Sequence, residues 1–94
     1  MKILIIDDSF SFAKLVKAYL EKHLIFVETS IISSFKELKE KNINEYELFL
    51  CDFLLLDAEN GEHIKYLVDK DKKVLVITAY EKEFIKFKYS EKVI

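Results

Sequence analysis

Unbroken apolar runs punctuate the chain at residues 3–6 (Ile-Leu-Ile-Ile), 48–51 (Leu-Phe-Leu-Cys) and 74–77 (Val-Leu-Val-Ile). Another stands at residues 24–27 (Leu-Ile-Phe-Val). Runs of this kind read as strands buried on both faces, as in a parallel sheet covered by helices. Helical spacing fills the intervals. After the first run, Ser9 or Asp8 can cap a helix that turns Phe12, Leu15, Val16 and Tyr19 inward. Ser33 or Ser34 can cap a second helix, which buries Phe35 and Leu38 and ends near the polar residues 39–42. A polar turn at residues 57–61 leads into a third helix marked by Ile64, Leu67 and Val68, with a solvated end at 69–73. Asn60-Gly61 also fits a hairpin turn, but the helical spacing after it favours the start of a helix. Residues 81–89 fit either a helix with Phe84 and Phe87 inward or an alternating strand, and Val93-Ile94 open a fifth strand.

Strand and helix alternate with short connections, which predicts right-handed crossovers, a parallel sheet and the α/β class. A chain of 94 residues with no proline, one glycine and no linker or repeat reads as a single small domain. Composition narrows the partners. The net charge of −2 gives no electrostatic reason to expect nucleic acid or an anionic membrane surface. The aromatic set Phe84, Phe87 and Tyr89 lacks a basic groove beside it, so it reads as packing. All 15 cationic side chains are lysines, so the chain has no guanidinium fork for bidentate phosphate binding. Cys51 is the single cysteine and reads as a small core residue, which excludes an internal disulfide and points to a reducing compartment. No apolar segment approaches the roughly 18 residues of a membrane span, and no signal-peptide pattern opens the chain. A cytoplasmic location is expected.

The chemistry gathers at strand ends. Asp7 and Asp8 follow the first strand, Asp52 the third and Thr78 the fourth. In open parallel sheets the ligand crevice lies beyond the carboxyl ends of the strands. Asp7 and Asp8 would face opposite ways on a continuing strand, but past its end the backbone can turn both into one crevice. Three gathered carboxylates repel one another and raise their pKa values unless a cation is present. Hard oxygen ligands of this kind suit Mg²⁺. A metal beside a nucleophilic carboxylate is equipment for forming an aspartyl phosphate, with Asp52 as the reactive group. The Thr78 hydroxyl, backbone N–H groups and a lysine would meet the other phosphoryl oxygens.

Ile-Leu-Ile-Ile-Asp-Asp-Ser, the strand ending at Asp52, and Val-Leu-Val-Ile-Thr-Ala together resemble the receiver domain of two-component response regulators, CheY-like proteins. The resemblance runs in order and spacing over residues 1–94. It implies a flavodoxin-like, doubly wound parallel sheet of order 2-1-3-4-5. It implies phosphorylation of Asp52 by a sensor histidine kinase, a phosphotransfer protein or a small phosphodonor, to switch a partner or output domain. Asp8 and Asp52 would ligate Mg²⁺ with the backbone carbonyl of Leu54, and Asp7 would act through water. Thr78 would be the switch hydroxyl, with Phe53 and Ala79 beside the phosphoryl group. Such a domain is a switch and not an enzyme with turnover. Leu54 and Tyr80, bulky and apolar, would hinder an attacking water and slow the loss of phosphate.

The chain also differs from the usual pattern. Leu56 replaces the proline of the loop after the phosphorylated aspartate, and Gly61 falls one residue later than is commonest. The Asp-Ala-x-Asn-Gly loop is similar to that of some receivers fused to diguanylate cyclases, which makes such a cyclase a candidate output domain. The family's lysine and last helix would lie beyond Ile94, so the chain resembles a receiver stopping at a partial fifth strand. The fourth strand's edge and an apolar face would then be bare, and self-association is expected. A phosphate-independent dimerisation or protein-interaction module stays open as the alternative. A flavodoxin-like nucleotide enzyme is disfavoured, because no glycine-rich loop follows the first strand. Taken singly, Asp-Asp-Ser is equally a helix cap, Asp52 a turn acid and Thr78 a strand terminator. His23 and His63 read as surface residues without metal-site spacing.

Overall fold

The computed structural model describes residues 1–77. Strands β1 (Lys2–Ile6), β2 (Glu28–Ile32), β3 (Leu48–Cys51) and β4 (Val74–Val76) alternate with helices α1 (Phe10–His23), α2 (Phe35–Glu40) and α3 (Glu62–Val68). The strands form one sheet of order β2-β1-β3-β4, with every pairing parallel. This is the doubly wound α/β arrangement that the alternating pattern implies, compatible with a flavodoxin-like fold. The expected fifth strand and the ambiguous segment 81–89 lie outside the described residues.

β1 and β3 carry the apolar runs and are buried nearly throughout, as central strands of a covered parallel sheet must be. Alternation along them divides the core in two. On one face Leu4, Ile6, Phe49 and Cys51 meet Phe35 and Leu38 of α2, Ile64 and Leu67 of α3, and Val74. On the other, Ile3, Ile5 and Leu50 meet Ala13 of α1, with Val16 and Leu20 half-buried beside them. Each large aliphatic side chain buried this way is worth about 1.5–3 kcal/mol, so the first and larger cluster holds most of the stabilisation. On the α1 side the described residues leave an apolar groove of about 510 Å³, lined by Leu15, Tyr19, Leu50, Leu75 and Ile77 among others.

Two local expectations are corrected. Residues 24–27 are a turn and not a strand. Leu24 closes α1 by donating its N–H to Leu20, and Phe26 has a positive φ of 64° that an extended run cannot contain. The strand starts after it, where Glu28 N–H donates to Met1 O. β2 lies at the sheet edge and half of it faces solvent, so Glu-Thr-Ser-Ile-Ile carries no apolar run to betray it. The inward stripe of α1 keeps the expected Val16 but takes Ala13 and Leu20 in place of Phe12, Leu15 and Tyr19, which are exposed. A small residue at the closest approach lets the helix lie against the sheet. Lys17 and Glu21 add a polar clasp: Lys17 Nζ donates to Thr29 O at 2.6 Å, and the Thr29 hydroxyl donates to Glu21 at 2.7 Å.

The other helix starts follow the sequence closely. Ser34 is the N-cap of α2, its hydroxyl accepting from Glu37 N–H at 3.1 Å. Asn60 and Gly61 both adopt left-handed backbone and turn the chain sharply into α3. They therefore serve a helix start and not a hairpin.

Candidate functional site

Backbone register builds the site. Ile6 of β1 stands opposite Cys51 of β3, so the next residues, Asp7 and Asp52, leave adjacent strands side by side. The ladder continues one step past the named strands: Asp52 N–H donates to Ile6 O at 2.9 Å and Asp7 N–H to Ile32 O at 3.1 Å. Both carboxylates are thereby held at the carboxyl edge of the sheet by main-chain hydrogen bonds on rigid elements. Asp8 joins them because the chain turns directly after β1 into Ser9, the N-cap of α1. The hydroxyl of Ser9 makes no capping bond; its N–H instead donates to Asp7 Oδ1 at 2.8 Å. One carboxylate oxygen from each of Asp7, Asp8 and Asp52 lies within 4.8 Å of the others.

Electrostatics follow from that crowding. Asp7 is buried, and burial pushes its carboxyl above the ordinary aspartate range, with the Ser9 N–H opposing and the charge of Asp8 adding to the rise. Asp52 is half-buried and shifted up as well, by burial first and then by the charge of Asp7. The N–H groups of Leu54 and Phe53 donate to the Asp52 carboxylate and partly offset that rise. A site that makes its own carboxylates reluctant to ionise gains most from a bound cation. Clustered hard oxygen donors of this kind fit a small divalent ion such as Mg²⁺.

The loop after β3 aims the rest. Phe53 and Leu55 point into the core while Leu54 and Leu56 point outward, Leu56 being 95 % exposed. Asp57 then reaches across to α2, accepting from Phe35 N–H at 2.8 Å and Lys36 N–H at 3.0 Å. These bonds hold its carboxyl below the ordinary range. A residue read from sequence as part of a turn is thus a second cap for α2, delivered from a distant loop.

His63 requires the plainest correction. It is fully buried, and its Nε2 lies 2.6 Å from the main-chain oxygen of Asp52. A carbonyl only accepts, so Nε2 carries the proton and donates. Burial pushes the imidazole pKa down, which keeps the ring neutral around pH 7. Nδ1 is buried with no hydrogen-bond partner among the described residues. One signal was available in the sequence: His63 precedes Leu67 by four positions and so shares its inward stripe.

The structure therefore brings together Asp7, Asp8 and Asp52 as expected. It sets Phe53 and Leu54 beside Asp52, and the contact seen from Leu54 is through its N–H. Thr78, Ala79 and Tyr80 lie outside the described residues. Among the described residues, no helix is long and apolar enough to cross a membrane.

No family model matches the chain, and no curated protein matches it significantly. Its fold is similar to that in the crystal structure of a sensor protein from Polaromonas sp. JS666, with a TM-score of 0.81 and 23% sequence identity. The match covers 97% of this chain and 75% of that one. At this identity the likeness speaks to the fold.

Proposed function

We propose that this chain is a phosphoacceptor receiver domain of a two-component signalling system, phosphorylated on Asp52. The observation that carries the reading is the convergence of Asp7, Asp8 and Asp52 at the carboxyl edge of a parallel sheet of order β2-β1-β3-β4. The fold shared with a protein described as a sensor supports it. In the transfer, an Asp52 carboxylate oxygen forms a bond to phosphorus as the donor's bond to phosphorus breaks. From a phosphohistidine donor, the leaving imidazole takes up a proton. The N–H groups of Phe53 and Leu54 orient the carboxylate. Asp7, Asp8 and Asp52 would hold Mg²⁺, which when bound neutralises charge on the phosphoryl oxygens. The Thr78 hydroxyl is the proposed switch group, with Ala79 beside it.

The partners that accompany this reading are a histidine kinase or phosphotransfer protein as donor and an output domain, a diguanylate cyclase being one candidate. The domain acts as a switch: phosphorylation biases a two-state surface near β4 that a partner reads. Leu54, 36 % exposed beside Asp52, supports slow loss of the phosphoryl group by hindering water.

Calorimetry with Mg²⁺ and beryllofluoride, on this chain and on Asp52→Asn, tests the proposal. Saturable, Mg²⁺-dependent beryllofluoride binding that disappears in the variant is the expected result. Binding of neither would overturn it and favour a phosphate-independent interaction module.

A further inference from the structure

We propose that His63 is a positioning residue for Asp52, holding the phosphoacceptor's main chain in place through the Nε2–H to Asp52 O hydrogen bond. The inference rests on the phosphoacceptor reading of Asp52 and adds a residue to it.

The geometry is specific. Asp52 is tied to β1 through its N–H, which donates to Ile6 O. Its carbonyl is the first after β3 and faces α3, where His63 meets it at 2.6 Å. Both polar groups of the Asp52 main chain are therefore engaged, one by the sheet and one by a helix side chain. With the backbone clamped on both sides, the carboxylate leaves it in one direction, toward Asp7 and Asp8. The next two N–H groups, from Phe53 and Leu54, are then presented to that carboxylate.

Packing alone does not call for a histidine here. The side chains around it on α3 are Ile64 and Leu67, both fully buried, and the Phe35 ring lies 6.4 Å away between centroids. An aliphatic residue would fill such a site with no polar atom of its own, at the expense of the donor to the Asp52 carbonyl. The imidazole leaves Nδ1 without a partner among the described residues, and an unpaired buried acceptor is costly. A residue that packs no better than leucine and brings an orphan acceptor makes sense for its other nitrogen. Outer groups that orient ligands typically alter metal affinity when removed.

The test compares His63→Leu, which removes the donor, with His63→Gln, whose amide nitrogen restores a donor at similar reach. Mg²⁺ and beryllofluoride binding are measured by calorimetry beside thermal unfolding. His63→Leu is expected to stay folded, with a lowered melting temperature, while binding falls about 10- to 100-fold. His63→Gln is expected to recover most of that loss, which a purely structural role would not produce. Nitrogen NMR of the parent imidazole is expected to show a protonated Nε2, an unprotonated Nδ1, and a change at Nε2 when beryllofluoride loads Asp52. Parent-like binding by His63→Leu would overturn the inference, as would a glutamine variant no better than leucine. If His63→Leu does not fold, the NMR signature decides, and a proton on Nδ1 or an unresponsive Nε2 overturns it. A parent chain that binds neither probe overturns the phosphoacceptor reading itself, and this inference with it.

Discussion

Asp7 and Asp52 are unfavourable neighbours for each other, and that has a measurable sign. Both carboxyls are raised above their unfolded values, mainly by burial. Between the unfolded and folded pKa values the native state holds more protons than the unfolded one. These two groups therefore favour folding most at low pH, and that contribution is lost as pH rises through the carboxylate range. In metal-free buffer, Asp52→Asn is expected to melt higher than the parent around pH 7. The gap should close on acidification below the unfolded aspartate pKa of about 3.9. Adding Mg²⁺ should raise the melting temperature of the parent and leave the variant nearly unmoved. Melting curves over a pH series with and without Mg²⁺ check both signs; a variant that melts lower at neutral pH would refute the account. His63 shows how one residue escapes a reading by type. Its polarity suggested the surface, whereas its neutral ring satisfies the Asp52 carbonyl inside the core.

α2 is the element whose stability depends most on a distant loop. With six residues it is too short to be stable by itself, so its start must be held from outside. Ser34 caps it locally, and Asp57 caps the first two N–H groups from the loop after β3. Ser34→Ala is expected to cost about 1 kcal/mol. Asp57→Ala should speed hydrogen exchange at the Phe35 and Lys36 amides beyond any global change. Because Asp57 lies between Asp52 and α3, that substitution should also loosen the phosphoacceptor loop. Parent-like exchange at both amides would show that the loop does not support the helix. Leu38, fully buried on α2, is expected to cost about 2–5 kcal/mol on change to alanine, measured by denaturant unfolding.

At the scale of the molecule, the described residues cover the two sheet faces unequally. α2 and α3 close one face, whereas α1 leaves the apolar groove along Leu50, Leu75 and Ile77 open among the described residues. We propose that the 94-residue chain in isolation pairs with a second copy across this face. Sedimentation should show mass rising with concentration, and Leu75→Lys should shift the balance toward monomer; a constant monomer mass would sink the idea.

The chain's linear pattern was sufficient for strands β1, β3 and β4 and for the acid rim. Ile-Leu-Ile-Ile and Leu-Phe-Leu-Cys read as strands covered on both faces and are buried as such, and a carboxylate follows each; Val-Leu-Val also forms a strand, of which Val74 is buried. Short crossovers then dictate parallel neighbours, which is why the approach of Asp7 and Asp52 is legible in the sequence. Edge and contact details were not. β2 lies at a half-solvated edge, so its burial depends on which strand it pairs with and not on its composition. The rotation of α1 depended on which residue could tolerate closest approach to the sheet, and Ala13 took that place. The partners of Asp57 and His63 lie 21 or 22 and 11 residues away, respectively. Hydrogen bonds of that span are set by how loops and helices come together in space, so only the tertiary structure decided them.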